Sequence, residues 1–360
     1  FKQKTAYEIG VRLVGSEMCI RDRYLCDCLG LPVVRLAPII RINVLLIWRY
    51  LLFLQGGAMA GANVQEIYCK TLLNKIDVPK FPFRWTLNPY RGCRHACTYC
   101  YARPTHEFLG QDSGRDFETR VFVKVNAPEV LRKELKRLSW RRESIAIGTA
   151  SDPYEPAEAE YGVTRRVLRV LRDFQNPVSI TTKGVLVRRD ADILADLSEN
   201  ADVHVNFSIG SINEKVWKTM EPGTPNPIAR LEAMQYLVEN GVSAGVMMAP
   251  LLPGISDDEA NIQEVAAAAH GHKAEYIGAN VLFLKPGSKE WFMPMLRETY
   301  PHLNSGYNRL YANKTYAPEQ YTKRVLDIVD RARCRWGLTD RPNIREKMNP
   351  RGQLQFAFAA

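Results

Sequence analysis

From Ser144 onward the chain alternates between two hydrophobic periods. Short β-branched runs at Ser144–Gly148 (SIAIG), Val178–Thr182 (VSITT), Val203–Ile209 (VHVNFSI), Ser243–Ala249 (SAGVMMA) and Tyr276–Leu284 (YIGANVLFL) have the length and composition of buried strands. Between them lie stretches whose apolar residues recur at helical spacing. Val167, Leu168 and Leu171 share one face of Thr164–Phe174, and Ile193, Leu194 and Leu197 one face of Asp190–Asn200; Ile228–Asn240 and Asp257–Gly271 read as two further helices. A Pro/Gly-rich loop, 221–227, separates the third strand from the helix at Ile228. With a further strand near Trp85–Asn88, the pattern predicts an α/β fold: an incomplete parallel βα barrel of about six βα units with helices outside. The basic, Tyr-rich tail after Tyr300 predicts a helical appendage, which divides the chain into a core over 59–300 and an appendage over 301–360.

The length of 360 residues, 46% hydrophobic and 24% charged, suffices for one large barrel with a sizeable core. With Gly 23 and Pro 21, this composition excludes a collagen-like, low-complexity or disordered chain. The net charge is +10, of which residues 1–58 carry +4, so the remainder permits an anionic partner without demanding one. Eight cysteines are too few for a disulfide scaffold, and three of them fall within Cys93–Cys100. A reducing compartment, the cytoplasm, and one metal site are expected.

The N-terminal segment stands apart. Lys2–Ile9 (KQKTAYEI) and Arg12–Arg23 (RLVGSEMCIRDR) resemble a translated sequencing-library adapter, with both oligonucleotide segments and the gap between them in one reading frame. Residues 1–58 are therefore expected to be a non-native extension, with Met59 as the start. The run Asn43–Leu54 (NVLLIWRYLLFL) is interrupted by Arg49 and falls well short of the ~20 apolar residues a spanning helix needs, so no membrane partner is expected.

Chemistry concentrates in one loop: Asn88-Pro-Tyr-Arg-Gly-Cys93-Arg-His-Ala-Cys97-Thr-Tyr-Cys100-Tyr-Ala-Arg-Pro104. The C-x3-C-x2-C spacing can bring three thiolates into one small volume, and Gly92 permits the tight turn this requires. An iron–sulfur cube usually takes four thiolates, so three leave one iron open to a ligand. Zinc held by the three Cys with His95 or His106 is the competing reading.

The pattern C-x3-C-x-aromatic-C, with Tyr99 as the aromatic, resembles the radical S-adenosylmethionine (SAM) superfamily. The wider context, NPYRGC through CYAR and Asp116-Phe-Glu-Thr119, is similar to its subgroup related to spore photoproduct lyase, over roughly residues 70–345. The resemblance implies that Cys93, Cys97 and Cys100 hold a [4Fe–4S] cluster and that the SAM amino and carboxylate groups take the fourth iron. It further implies that an electron from an external reductant, such as a flavodoxin or ferredoxin, breaks the C5′–S bond to give a 5′-deoxyadenosyl radical. Ser151, Asp152, Lys183, Ser208 and Tyr99 are the implied cofactor-binding residues, with Lys183 at the SAM carboxylate and Ser208 near the ribose or methionyl group. Tyr101 matches a tyrosine that relays hydrogen in the lyase. Met247 and Met248 fit either adenine packing or ordinary core.

One departure bears on the reaction. Thr149 stands where the lyase has its catalytic cysteine, and a hydroxyl cannot donate hydrogen as a thiol does. The substrate is therefore open, with nucleic acid, peptide and small molecule all candidates. The basic stretch Arg132–Arg142 suits phosphate or a solvated helix face equally. The alternatives to a radical SAM enzyme are a non-enzymatic iron–sulfur or zinc module and a lesion-lyase-like protein that binds nucleic acid.

Overall fold

The computed structural model describes residues 63–76 and 83–342. The chain divides into Phe1–Ala60 and Gly61–Ala360; the adapter-like segment, the run Asn43–Leu54 and Met59 lie outside the described residues.

Six parallel strands form the sheet: β3 (Trp85–Leu87), β6 (Ile145–Ile147), β7 (Val178–Thr182), β8 (Val203–Ser208), β9 (Ser243–Leu251) and β10 (Ile277–Val281). They lie side by side in chain order, and the short β2 (Asn74–Lys75) adds an antiparallel edge beside β3. Such a singly wound order keeps successive right-handed crossovers on one face and curls the sheet toward a barrel. Each strand was legible from its short run of β-branched and other apolar residues. All six residues of β8 are buried, as expected where helices cover one side and the barrel interior the other.

The helices follow their amphipathic pattern. In α4 (Val163–Asp173), Val163, Val167, Val170 and Leu171 are buried against the sheet. Its first turn is held by the buried Glu158, whose carboxylate accepts from Thr164 N at 2.8 Å and Arg165 N at 3.2 Å. Helices α5 (Ala191–Ser198), α7 (Pro227–Glu239) and α8 (Glu259–Gly271) follow β7, β8 and β9 in turn. Asn226 caps α7 by accepting from Ile228 N, and Asp258 caps α8 by accepting from Asn261 N.

Three features depart from the sequence reading or go beyond it. A separate three-stranded sheet joins β5 (Arg120–Lys124) to β1 (Asn63–Ile67) in parallel and to β4 (Tyr90–Arg91) in antiparallel fashion. The basic stretch Arg132–Arg142 is not one helix face. Helix α2 (Ala127–Leu135) ends inside it, because the chain turns to seat Trp140, whose indole donates to Asn176 at 2.8 Å, and leaves Leu138 exposed. Beyond Tyr300 the chain is helical, in α10 (Asn304–Tyr311) and α11 (Glu319–Trp336). Val325, Val329 and Ala332 of α11 belong to the main core, and Thr339 extends the sheet edge beside Tyr276. Among the described residues no helix is long and apolar enough to cross a membrane.

Candidate active site and cofactor pocket

Parallel strands end on one edge, and that edge gathers most of the candidate cofactor residues read from the sequence. The cysteine loop leaves β3 and β4, Thr149–Asp152 follow β6, Lys183 follows β7, and Ser208 closes β8. The register pairs Thr182 with Phe207 and Ser208 with Met247, which brings Lys183 and Ser208 level at adjacent strand ends.

The loop is folded by its own backbone. Ala96 N donates to Cys93 O at 3.3 Å and Cys100 N to Cys97 O at 3.3 Å, giving two successive tight turns. Gly92 has φ +75°, and a Cβ there would lie 2.5 Å from the Arg120 carbonyl. From the other side, Gly223 N donates to His95 O at 3.1 Å and Thr98 N to Met220 O at 3.0 Å. A Cβ at Gly223 would stand 2.1 Å from the Arg94 carbonyl, so the 221–227 loop is built against the cysteine loop. The sequence reading treated that loop only as a connector.

Cys93 and Cys97 are buried, Cys100 is half-buried, and all three are free thiols. Burial pushes the Cys93 thiol well up, and the carboxylates of Asp152 and Glu155 push it further. Burial also raises Cys97, to about 12, against the opposing charge of Lys183. Cys100 is raised by burial as well, with Arg103 opposing. Burial disfavours the three thiolates more than the nearby cations favour them, and a positive centre placed among them, such as an iron–sulfur core, would favour their ionised form. The soft donor set fits such a cluster. Among the described residues no three His, Cys, Asp or Glu side chains gather about one point as single-ion ligands do; a cube makes a different demand, since each thiolate takes its own iron. Of the histidines in the zinc reading, His95 Nδ1 lies 3.2 Å from Asp152 and His106 Nε2 3.0 Å from the Arg120 carbonyl, while His106 Nδ1 is buried with no hydrogen-bond partner.

Lys183 brings a cation to this edge. Its Nζ donates to Ser208 Oγ at 2.5 Å, lies 3.7 Å from Glu221 Oε1 and sits 5.6 Å from the centre of the Tyr99 ring. Glu221 is buried and also meets Arg230 at 2.6 Å and the Tyr99 hydroxyl. Burial alone would raise its carboxyl, but Arg230 and Lys183 outweigh it and hold Glu221 at about 2. Glu221 and Arg230 were not recognised from the sequence; a charged residue opening a Pro/Gly-rich loop and an arginine in the first turn of the next helix were the available signals.

Asp152 is saturated from within. It accepts from Thr182 Oγ1 at 2.6 Å, Lys183 N at 2.7 Å and Tyr154 N at 2.9 Å, besides the contact with His95. Despite burial, these partners hold it at about 2. Ser151 Oγ donates to the Gly92 carbonyl at 2.8 Å, next to Cys93. Tyr101 donates to the Thr149 carbonyl at 2.8 Å and stays partly exposed, its ring 5.4 Å from Phe283. The Thr149 hydroxyl accepts from Asn88 at 3.0 Å. Met248 lies in the core, and Met247 covers Gly278 from the neighbouring strand. Beside this group a small cavity is lined by Tyr99, Ser211, Trp217, Glu221, Pro250 and Leu252.

Known proteins resemble this chain in fold and in sequence. A solved structure of a spore photoproduct lyase variant with bound AdoMet and dinucleoside spore photoproduct superposes with a TM-score of 0.57 at 18% identity, over 76% of this chain and 79% of that one. Uncharacterised proteins of Mycobacterium bovis and Mycobacterium tuberculosis are 38% identical over 270 residues, 75% of this chain and 79% of theirs. One from Methanocaldococcus jannaschii is 28% identical over 267 residues, 74% of this chain and 93% of its own. The model of the radical SAM superfamily matches residues 87–266, the span that carries the cysteine loop, Lys183 and Ser208, and the chain belongs to that superfamily of enzymes.

Proposed function

We propose that Cys93, Cys97 and Cys100 hold a [4Fe–4S] cluster and that the protein cleaves SAM reductively to start chemistry on a separate substrate. When bound, the cluster and SAM supply a one-electron cleavage whose organic radical abstracts hydrogen. The observation that carries this reading is the meeting of the three-cysteine loop with Lys183 and Ser208 at neighbouring strand ends.

The chain's own residues divide the work. Lys183 offers a nearly dry ammonium to a carboxylate entering beside the cysteine loop, with Ser208 holding it in place until then. Glu221 keeps that ammonium aligned, and its bond to the Tyr99 hydroxyl fixes the aromatic wall of the cavity. Asp152 acts as a strut that ties Lys183 to His95 rather than as an open ligand. Ser151 braces the turn before Cys93. Tyr101, anchored on Thr149, stands between the cysteine loop and solvent, where a substrate approaches. The lyase structure holds a dinucleoside lesion, but Thr149 gives this chain no thiol at the matching position, so a different substrate or hydrogen-return route is favoured. An external one-electron reductant is required.

Anaerobic reconstitution with iron and sulfide tests the assignment. The expected product is brown protein whose reduced form gives an EPR signal that SAM alters. Stoichiometric zinc with no iron uptake would refute it.

A further inference from the structure

Arg103 is wholly buried, and nothing in the cofactor chemistry above uses it. Its Nε and Nη2 donate to the Cys97 carbonyl at 3.3 and 2.9 Å, and its Nη1 to the Gly114 carbonyl at 2.9 Å. Nη2 also meets the Glu118 carboxylate, whose side chain is 16% exposed. The guanidinium lies between two rings, 5.4 Å from the centre of Phe117 and 4.6 Å from that of Trp291. The residues around it tie down the other two cysteines. Phe117 O accepts from Cys93 N at 2.9 Å, and Ser288, three residues before Trp291, donates to the Cys100 carbonyl at 2.9 Å. The segment Asp116-Phe-Glu-Thr119 is thus the back plate of the cysteine loop, with Arg103 as the bolt through it.

We infer that Arg103 is a positioning residue that sets the electron affinity of the cluster held by these cysteines, with Glu118 as its counterweight. This rests on the cluster assignment proposed above. Reduction adds one negative charge to the cluster, and a cation fixed at the Cys97 peptide, walled from water by two aromatic rings, stabilises that charge far more than a solvated one would. Hydrogen bonding and net charge around the thiolates are the protein's means of moving such a potential. Arginine suits the place because its planar group can lie over aromatic rings while donating along its edge, which a lysine ammonium does not do.

The test is an anaerobic redox titration of the reconstituted cluster without SAM. Glu118→Gln removes the counterweight and is expected to raise the midpoint potential by at least a tenfold change in the reduction equilibrium, about 59 mV for one electron. Arg103→Met/Glu118→Gln removes both charges and is expected to fall below Glu118→Gln by at least as much. Arg103→Lys keeps the charge and is expected to hold the wild-type potential while losing iron to a chelator faster. If the double variant does not assemble a cluster, Arg103→Gln/Glu118→Gln, which keeps a donor for the Cys97 carbonyl, takes its place with the same expected fall. Full iron content with an unmoved potential in Glu118→Gln overturns the inference and leaves the cluster assignment standing. Failure of the wild-type chain to take up iron overturns both.

Discussion

Lys183 and Glu221 face each other across 3.7 Å at the floor of the site, with the Tyr99 ring beside the ammonium and Arg230 behind the carboxylate. The pair sets an ammonium and a carboxylate together in a place almost closed to water. A ligand carboxylate can then draw the ammonium from Ser208 and meet a cation already in place. A charge-assisted hydrogen bond of this kind contributes roughly 1.5–3 kcal/mol, or about one to two decades in affinity. Lys183→Met should therefore assemble its cluster normally but need about ten- to a hundredfold more SAM to saturate cleavage. Equilibrium binding of SAM to the reconstituted variant checks this; unchanged affinity would remove Lys183 from the cofactor site.

Glu221 links the site to acid stability. Its folded value of about 2 lies below the ordinary 4.5. The unfolded chain therefore binds the proton first as pH falls, and the stabilisation present above pH 4.5 is lost on the way down to 2. For a shift of this size the linkage is about 3 kcal/mol. Denaturant unfolding of the wild type and Glu221→Gln should differ most at neutral pH and converge as pH drops through that window. A difference independent of pH would show that Glu221 acts by shape and not by charge.

Gly223 tests the close packing of the two loops. A Cβ there would stand 2.1 Å from the Arg94 carbonyl, backbone that cannot step aside alone. Gly223→Ala should displace the cysteine loop, cost about 1–3 kcal/mol as overpacking does, and speed iron release to a chelator. Gly271→Ala, where an added Cβ meets nothing within 4 Å, is the control and should leave iron retention unchanged.

The cysteines separate by position. Cys93→Ala, Cys97→Ala and Cys100→Ala should each abolish the cluster. Cys69→Ala should not, since Cys69 lies on the segment that Asn126 pins by two backbone bonds, nor should Cys334→Ala on the exposed side of α11. Iron and sulfide content of each reconstituted variant decides the point.

The barrel was legible because its strands are doubly buried and its helices carry narrow apolar stripes; Val178–Thr182 has the same bounds in the sequence pattern and in the structure. The small β1-β5-β4 sheet was not, because Asn63–Ile67 is largely exposed and shows no alternation, so only its pairing with Arg120–Lys124 defines it as a strand. The cysteine loop announced itself by spacing. Glu221, Arg230 and Arg103 did not, because a buried charge looks like a surface charge until its partners, often dozens of residues away, are brought to it. Asp152 was visible as a residue beside Ser151, but its role as an internal strut depends on Thr182 and Lys183 arriving from the next strand.

The most direct measurement is the yield of 5′-deoxyadenosine when the anaerobically reconstituted protein is given SAM and dithionite. The account predicts 5′-deoxyadenosine and methionine in equal amounts from the wild type, none from Cys97→Ala, and sharply less at limiting SAM from Lys183→Met. A wild-type protein that holds a full, reducible cluster and yet yields no 5′-deoxyadenosine above the Cys97→Ala background would contradict it.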